Sequence, residues 1–334
     1  MRAFVTGGAG FIGSRVVRQL RARGDEVIAA VRDPARARAL ADLGCRLEPS
    51  DLSSPQTLKG LMAGADAVIH GAGSYRVGIR PSERAAMEDA NVGATERVLD
   101  AAVAAAIPRI VYISTGNVYG DTHGVLVDES YRRDPAAGFL SAYDKTKFGA
   151  HLAAEERIAT GAPIVIVLPG QVYGPNDHSE VGAQLRRAHS GRLPYLVLAD
   201  VGLCFGHVDD IAAGIVGALD HGRTGEAYNV AGAPRRLREG LEIAARLGGQ
   251  RLPRLTIPTA VLRLGAPLAP YLPGSLGLPP NLAEVISAGD GVTYWLSAAK
   301  AQRELGFVAR DLEEGLRATF ELAGADVEAD RGWV

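Results

Sequence analysis

Cysteine is scarce in this chain: only Cys45 and Cys204 occur among 334 residues, and they lie far apart. Two distant cysteines form neither a disulfide framework nor a CxxC metal motif, which excludes a disulfide-stapled fold and leaves no metal site to predict. We expect both to be buried small apolar residues of a protein in a reducing compartment.

Long apolar runs and clusters of one charge are also missing. The net charge is −2, and no basic run stands out, which argues against a nucleic-acid partner or a charged membrane surface. No apolar run approaches the ~20 residues that a membrane helix needs. The chain enters a strand directly at Met1–Thr6, which leaves no room for a signal peptide. We therefore expect a cytoplasmic protein without a nucleic-acid or membrane partner.

Short apolar strands and helical patterns alternate over residues 1–170. The strands lack polar alternation, which indicates burial on both faces. Strand and helix in turn predict an α/β fold, a Rossmann-type doubly wound parallel sheet. The predicted strands are Ala3–Thr6, Glu26–Val31, Arg46–Glu48, Ala67–His70, Ile110–Ser114 and Ile164–Leu168. The predicted helices are Phe11–Arg23, Pro34–Leu43, Pro55–Met62, Pro81–Ala106 and Ser141–Thr160.

The pattern loosens after residue 170, where glycine and proline become frequent. Two strands, Leu203–His207 and Ala227–Val230, are expected to rejoin the sheet. The sequence therefore predicts a dinucleotide-binding domain over residues 1–170, with elements near 203–230 returning to it. Residues 171–334 are predicted to form mainly a smaller, mostly helical substrate-binding domain. Its helices are predicted at Val208–Leu219, Arg236–Leu247 and Asp311–Leu322.

A glycine-rich motif, Thr6–Gly13, follows the first strand and opens the first helix. Glycine allows a tight turn and a close approach to a pyrophosphate, and the helix amino terminus offers free N–H groups to the phosphates. The motif contains both Gly7, Gly10 and Gly13 spaced by three and a GxGxxG pattern from Gly8. A plain glycine-rich turn is the alternative, but strand, turn and helix in this order favour a dinucleotide. The predicted contacts are Gly7, Gly10, Phe11, Ile12 and Gly13.

The end of the second strand bears on the choice between NAD and NADP. Arg32 stands where an acidic residue would hold a ribose hydroxyl, and an arginine accommodates a 2′-phosphate. We therefore favour NADP over NAD, with Arg32 as the main contact, and expect Asp33 to cap the next helix. The alternative is that Arg32, Arg36 and Arg38 form a solvated helix face.

Asp51 and Leu52 follow the third strand. The Asp51 carboxylate is placed to accept from an adenine amino group. A turn residue or the cap of the helix near Pro55 is the other interpretation of Asp51.

Tyr143 and Lys147 are four residues apart in a predicted helix, and this spacing puts them on one face. We expect the Lys147 charge to lower the pKa of the Tyr143 phenol, which then exchanges a proton with a carbinol during hydride transfer. Ser114 and Thr115 end the fifth strand, where ligands bind in doubly wound sheets, and a hydroxyl there can hydrogen-bond a carbonyl oxygen. A tyrosine on a surface helix and a strand-end turn are the alternatives.

Taken together, these motifs resemble the extended short-chain dehydrogenase/reductase superfamily. The resemblance is to its NAD-dependent epimerase/dehydratase family, dihydroflavonol-reductase-like branch, and covers nearly the whole chain. The motifs are Thr6–Gly13, Asp51-Leu52, His70-Gly71-Ala72-Gly73, Asn91-Val92-Gly93-Ala94-Thr95, Ser114–Gly120, Tyr143-x-x-x-Lys147, Pro169–Pro175 and His207-Val208-Asp209-Asp210.

The resemblance implies a role for each matching residue. Thr115 aligns with the catalytic hydroxyl, Tyr143 is the proton donor or acceptor, and Lys147 also holds the ribose of the nicotinamide half. Asn91 resembles an asparagine that helps organise the proton relay, with a plain helix residue as the alternative. A homodimer through Pro81–Ala106 and Ser141–Thr160 is also implied. Further cofactor contacts are implied for Leu52, Gly71, Ala72, Gly73, Tyr143, Pro169, Gly170 and Val172.

Two departures from the family pattern bear on the substrate. Leu168 stands where sugar-nucleotide relatives often carry arginine, which argues against a nucleotide-sugar substrate. The arginines that could still form a basic pocket are Arg186, Arg187 and Arg192. The stretch Leu255–Leu278 is apolar and proline-punctuated, which indicates either ordinary core or a hydrophobic substrate wall or lid.

The sequence therefore predicts an NADP-dependent oxidoreductase that interconverts a ketone and a secondary alcohol on a small, rather apolar substrate. The alternative enzyme is an NAD-dependent nucleotide-sugar epimerase or dehydratase. A redox-sensing regulator without turnover is disfavoured, because such relatives typically lack the tyrosine and lysine. Candidate substrate contacts, with solvated loop residues as the alternative, are Tyr75, His123, Tyr131 and His178.

Overall fold

The computed structural model describes residues 1–271 and 279–325. A seven-stranded parallel sheet has the order β3-β2-β1-β4-β5-β6-β9, and a separate three-stranded sheet has the order β10-β8-β7. The strands are β1 (Arg2–Thr6), β2 (Glu26–Val31), β3 (Arg46–Pro49), β4 (Ala67–His70), β5 (Ile110–Ile113), β6 (Ile164–Pro169), β7 (Gln171–Tyr173), β8 (Gly202–His207), β9 (Ala227–Val230) and β10 (Pro234–Arg236).

Helices cover both faces of the large sheet. Val5 packs with Val16 of one helix layer, whereas its neighbour Phe4 packs with Val98 of the other. This alternation explains the continuous apolar strands, because both faces of each strand are buried. The helices are α1 (Phe11–Ala22), α2 (Arg38–Asp42), α3 (Pro55–Met62), α4 (Arg84–Glu88), α5 (Ala94–Ala104), α6 (Ala142–Ala159), α7 (Glu180–His189), α8 (Val208–His221), α9 (Leu237–Leu247), α10 (Thr259–Gly265), α11 (Leu282–Gly289), α12 (Ala299–Leu305) and α13 (Leu312–Ala325).

The doubly wound parallel sheet is confirmed. Strand β1 pairs with β2 on one side and with β4 on the other, so the direction of winding reverses between β1 and β4. Ligands bind in such sheets at the carboxyl ends of the strands beside this reversal. The loops after Thr6 and His70 therefore border the expected ligand crevice.

One of the two later strands does not rejoin the large sheet, and that expectation for Leu203–His207 is wrong. Strand β9 takes the edge position beside β6, with Ile166 opposite Ala227. Strand β8 pairs instead in parallel with β7, with Val172 opposite Gly206, and antiparallel with β10. The edge position beside β6 belongs to β9, and β8 pairs with the short strand β7 that follows Gly170.

The single helix predicted over Pro81–Ala106 is also interrupted. A one-turn π-helix at Asp89–Gly93 separates α4 from α5. Thr95 donates to the Asn91 carbonyl oxygen at 2.6 Å within this widened turn. Insertions of this kind frequently mark functional sites, and this one carries the predicted site residue Asn91.

The residues after 170 contribute a core of their own. Leu185 of α7, Phe205 of β8 and Leu241 of α9 are buried members of this cluster. Both cysteines are buried free thiols, as predicted. In the part of the chain that the structure describes, no helix combines the length and apolar character needed to span a bilayer. Over the same residues, no group of three or more His, Cys, Asp or Glu side chains is arranged to hold a metal ion.

Candidate active site

The turn after β1 requires glycine at two positions. Gly7 has a φ of +72°, and a Cβ there would lie 2.6 Å from the Gly71 carbonyl carbon. A Cβ at Gly13 would overlap the Gly7 carbonyl oxygen, whereas a Cβ at Gly8 would meet the Val17 side chain at 3.2 Å. The backbone therefore requires glycine at Gly7 and Gly13, which belong to the pattern with a spacing of three residues. The requirement for glycine at Gly8 is weaker.

The amino terminus of α1 offers unsatisfied backbone donors. Gly10 occupies the N-cap position and provides no side-chain cap, while its own N–H donates to the Gly7 carbonyl at 2.9 Å. The first N–H groups of a helix lack intrahelical partners, and the helix dipole favours an anion there. The close approach of bare backbone at Gly7 and the uncapped turn at Phe11 and Ile12 fit a dinucleotide pyrophosphate.

The motif after β4 packs against this turn. Gly71 N donates to the Thr6 carbonyl at 3.2 Å, and Ala72 N donates to the Thr6 hydroxyl at 3.3 Å. A Cβ at Gly73 would lie 3.0 Å from the Asn91 amide oxygen. The structure therefore brings Gly71, Ala72 and Gly73 alongside the glycine-rich turn.

The end of β2 presents exposed arginines. Arg32, Arg36 and Arg38 are all exposed, and none forms an ion pair within residues 1–271 and 279–325. Asp33 accepts from Ala35 N at 2.9 Å and caps the following 3₁₀ turn, as predicted. This geometry suits a phosphate contact at Arg32 and a solvated face equally.

Asp51 is engaged in its own turn. Its carboxylate accepts from Ser53 N at 2.9 Å and from the Ser53 hydroxyl at 2.6 Å, and the hydroxyl is the main cause of its lowered pKa. Ser54, not Asp51, caps α3. Leu52 is buried with a φ of 62°, and its carbonyl accepts from Arg97. Of the three predicted roles for Asp51, the structure supports the turn.

Helix α6 carries Tyr143 and Lys147, and both side chains are buried. Thr115 follows β5, and its hydroxyl donates to Asn117 Oδ1 at 3.1 Å while lying close enough to the Tyr143 phenol to influence its pKa. Ser114 faces the other way, with its hydroxyl 3.1 Å from Nδ1 of His151. The structure thus brings Thr115 and Tyr143 together and separates Ser114 from them.

Burial raises the pKa of the Tyr143 phenol above its ordinary value. The neighbouring Tyr75 adds to the rise in the pKa, and the nearby Thr115 hydroxyl opposes it. The expectation that Lys147 lowers this pKa is therefore wrong for the protein alone, because desolvation of the charged form outweighs the favourable interactions. The phenol is protonated at neutral pH.

The Lys147 ammonium is buried beside neutral groups. Its Nζ lies 3.3 Å from the Ile113 carbonyl oxygen and 3.5 Å from the Tyr112 hydroxyl oxygen. Among the described residues it forms no ion pair with a carboxylate. A buried charge without a counter-charge is costly.

Asn91 braces α6 and does not touch the phenol directly. Its amide nitrogen donates to the Thr146 hydroxyl at 2.9 Å, and its amide oxygen accepts from Ser74 N at 2.7 Å. Thr146 lies on α6 between Tyr143 and Lys147. Asn91 thus connects α6 to the loop that carries Ser74.

His70 belongs to a motif that the sequence analysis named, but no role was predicted for it. Its two ring nitrogens lie 2.7 Å from the Thr6 hydroxyl and 3.0 Å from the Thr95 hydroxyl. Burial lowers its pKa to about 3, with the Lys147 charge as a smaller cause, so the ring is neutral. A histidine at the end of a fully apolar strand was the available signal.

Pro169 ends β6, Gly170 follows it, and Val172 lies in β7. A Cβ at Gly170 would overlap the Cys204 carbonyl oxygen, so this position also requires glycine. Strand β6 pairs with β5, with Val167 opposite Ile113, which places these residues beside the strand end that carries Thr115.

Of the four candidate substrate contacts, the structure brings Tyr75 to the phenol. Its ring packs edge-on against Tyr143 with centroids 4.8 Å apart, and the residue is 54% exposed. His123 pairs with Asp121 at 3.2 Å in an exposed loop. Tyr131 packs against Tyr119, and His178 is exposed.

The three arginines expected to form a possible basic pocket do not converge. Arg186 donates to the Asp177 carbonyl, and Arg187 pairs with Glu180 at 3.8 Å. Arg192 is exposed after α7, and Leu168 is buried within β6.

The apolar stretch Leu255–Leu278 is not ordinary core where it is described. Val261, Leu264 and Leu268 are 55%, 82% and 62% exposed. Leu262 instead packs inward against α11. The remaining apolar members, Leu272, Leu276 and Leu278, lie outside the described residues.

Comparisons with known proteins identify relatives on sequence. The model of the NAD dependent epimerase/dehydratase family matches residues 3–231. A 4-hydroxy-2-methyl-3-oxo-4-farnesyl-3,4-dihydroquinoline-1-oxide ketoreductase from Stigmatella aurantiaca is 32% identical, covering 93% of this chain and 92% of that protein. A 2-alkyl-3-oxoalkanoate reductase from Stenotrophomonas maltophilia is 32% identical, covering 95% and 98%. A dTDP-glucose 4,6-dehydratase from Mycobacterium tuberculosis is 31% identical over 68% and 71%.

Solved structures show the same fold. The crystal structure of gox2253 has a TM-score of 0.83 and 27% identity, covering 97% of this chain and 98% of that one. MoeE5 in complex with UDP-glucose and NAD has a TM-score of 0.76 and 25% identity, covering 98% and 100%. The chain therefore belongs to the NAD-dependent epimerase/dehydratase family of extended short-chain dehydrogenases/reductases, whose members are NAD(P)-dependent oxidoreductases, epimerases and dehydratases.

Proposed function

We propose that this enzyme reduces a ketone on an apolar substrate to a secondary alcohol, with NADPH as cofactor and Tyr143 as proton donor. The observation that carries the proposal is the buried group of Thr115, Tyr143 and Lys147 at the carboxyl end of β5. Burial raises the pKa of Tyr143, so the phenol holds its proton at neutral pH, as a proton donor must.

The residues present divide the chemistry between them. A bound nicotinamide cofactor supplies the hydride for the carbonyl carbon. The Thr115 hydroxyl orients the carbonyl oxygen next to the phenol, and Tyr143 delivers its proton to that oxygen. The Gly7–Gly13 turn holds the pyrophosphate, and Pro169–Val172 borders the nicotinamide.

Lys147 has two uses in this proposal. Its ammonium, which contacts the Tyr112 hydroxyl and the Ile113 carbonyl oxygen, would hold the ribose of the nicotinamide half. Its positive charge also stabilises the phenolate that remains once Tyr143 has released its proton.

The substrate class is inferred from the relatives and from the exposed apolar side chains. Two relatives over nearly the whole chain are named as reductases of oxo compounds that carry alkyl or farnesyl groups. Val261, Leu264 and Leu268 offer apolar surface on the segment that leads into α11. We propose that residues after 170 supply the substrate side, and residues 1–170 the cofactor side.

A nucleotide-sugar epimerase or dehydratase is the second candidate. It is favoured by the resemblance to MoeE5, whose structure holds UDP-glucose, and to the dTDP-glucose dehydratase. Leu168 and the separate engagements of Arg186 and Arg187 disfavour it, because a sugar diphosphate needs converging donors.

A substrate panel separates the two candidates. Ketones with alkyl chains of increasing length, dTDP-glucose and UDP-glucose would be incubated with the purified enzyme and NADPH or NADH. We expect ketone-dependent loss of NADPH absorbance with formation of the alcohol in equal amount. Conversion of a sugar nucleotide without net cofactor consumption, and no ketone reduction, would replace the proposal with the second candidate.

The NADP preference is tested at Arg32. Arg32→Ala is expected to raise the Kd of NADPH by about tenfold to a hundredfold, because a charge-assisted hydrogen bond to the 2′-phosphate is lost. The Kd of NADH should stay unchanged in a fluorescence titration. Arg18→Ala removes another exposed arginine, from α1, and serves as the control. An equal, small effect of both variants on NADPH would show that Arg32 belongs to a solvated face.

The cytoplasmic location and the homodimer through α5 and α6 stay predictions. Val103 and Leu152 are exposed apolar residues on these two helices, 44% and 40% accessible, which supports an interface there. A mass of one chain by light scattering would exclude the dimer.

A further inference from the structure

The helix that carries Tyr143 has an unusual support at its start. Helix α6 begins at Ala142, and the first N–H groups of a helix need acceptors from outside it. Ser141 accepts from Asp144 N at 3.0 Å, which is an ordinary N-cap. The N–H of Ala142 itself donates to the Glu284 carboxylate at 2.6 Å, across 142 residues of sequence.

Glu284 is fixed in this position by further contacts. The residue is only 8% exposed, and its second carboxylate oxygen accepts from the Asn281 amide at 2.9 Å. Asn281 in turn accepts from Glu284 N at 3.3 Å and caps α11. A buried carboxylate is costly unless its oxygens are hydrogen-bonded, and a helix amino terminus favours a negative charge. Both conditions hold here.

The same helix, α11, also holds the loop that carries Tyr75. Asn281 N donates to the Gly78 carbonyl at 3.0 Å, and Gly78 lies against the Val285 side chain. Tyr75 packs edge-on against Tyr143. Helix α11 therefore contacts the surroundings of the Tyr143 phenol in two places. It holds the start of α6, which carries Tyr143, and it holds the loop that carries Tyr75.

On its other side α11 belongs to the apolar segment. Leu282 and Ile286 are buried against Leu262 of α10 and Ala269. The turn of chain that exposes Val261 and Leu264 is thus packed onto the helix that caps α6.

We propose that Glu284 is a positioning residue for Tyr143, which couples the apolar substrate segment to the orientation of the phenol. The inference rests on the proposed function, in which Tyr143 delivers the proton. A misplacement of about 1 Å at a reacting group costs on the order of a hundredfold in rate, so a missing anchor at the adjacent residue should be visible in kcat.

The test compares three variants in the reductase assay. Glu284→Ala is expected to lower kcat by about tenfold to a hundredfold with little change in the KM for NADPH. Glu284→Gln keeps an acceptor for Ala142 N and loses only the acceptor for the Asn281 amide, so its kcat should lie closer to that of the parent enzyme than to that of Glu284→Ala. The control is Glu239→Ala, which removes a matching carboxylate that accepts from Arg236 N at 2.6 Å at the start of α9. Its kcat should be unchanged.

A readout independent of turnover completes the test. Hydrogen–deuterium exchange of the peptide over residues 140–148 should become faster in Glu284→Ala and not in Glu239→Ala, because the Ala142 amide has lost its acceptor. Unchanged exchange, or an unchanged kcat in Glu284→Ala, would overturn the inference. If exchange rises while Tyr143→Phe keeps full turnover, the helix anchor stands and the proposed proton donor fails.

Discussion

Tyr143→Phe is expected to lower kcat by about 10²–10⁴-fold, the usual contribution of a positioned acid–base group. The ring remains, so its packing against Tyr75 and its place in the cluster with Ile79 and Met87 should be preserved. The Kd of NADPH should stay within a few fold of the parent value. Single-turnover kinetics and a fluorescence titration of NADPH would measure the two quantities separately.

Tyr75→Phe is the matched control for this prediction. This variant keeps the ring that packs against Tyr143 and removes only the Tyr75 hydroxyl. The proton donor, Thr115 and Lys147 stay in place. We expect a change in KM for the ketone with kcat nearly intact. Turnover that survives in Tyr143→Phe would remove the proton donor from the mechanism, and a loss of NADPH affinity there would indicate a structural role.

The strands were predictable because burial on both faces demands apolar residues throughout. All six strands predicted before residue 170 agree with the structure to within one residue at each end. The glycine-rich turn was predictable for a related reason, since a positive φ at Gly7 and a backbone contact at Gly13 exclude other residues. Requirements that restrict the residue type at a single position can be recognised from the sequence.

Pairing and electrostatics were not predictable in the same way. The residues of Gly202–His207 suit a strand of either sheet, and their composition does not reveal that β9 is the strand that pairs with β6 at the edge of the large sheet. The pKa of Tyr143 depends on how deeply the phenol is buried, which the spacing to Lys147 does not reveal. The contact of Glu284 with Ala142 joins two distant parts of the chain, and nothing local marks it.

Gly13→Ala is expected to weaken NADPH binding by about a hundredfold and to lower Tm. The added Cβ would overlap the carbonyl oxygen of Gly7. A backbone atom cannot relieve this overlap by changing rotamer, as a side chain can. Relief requires α1 to move, yet Val16, Val17 and Leu20 of this helix are buried in the core under the sheet. Overpacking of this kind typically costs about 1–3 kcal/mol, and it acts at the turn that holds the pyrophosphate.

Gly60→Ala provides the comparison for that variant. Gly60 is an exposed residue of α3 with open space where a Cβ would be placed. Alanine there should stabilise the protein by up to about 1 kcal/mol, because glycine is the poorer helix former. Opposite shifts of Tm in the two variants, with NADPH affinity lost only in Gly13→Ala, would show that the backbone contact and not the added methyl group is responsible. Normal NADPH binding by a folded Gly13→Ala protein would mean that the turn after β1 does not hold the pyrophosphate, and the cofactor would have to lie elsewhere along the strand ends.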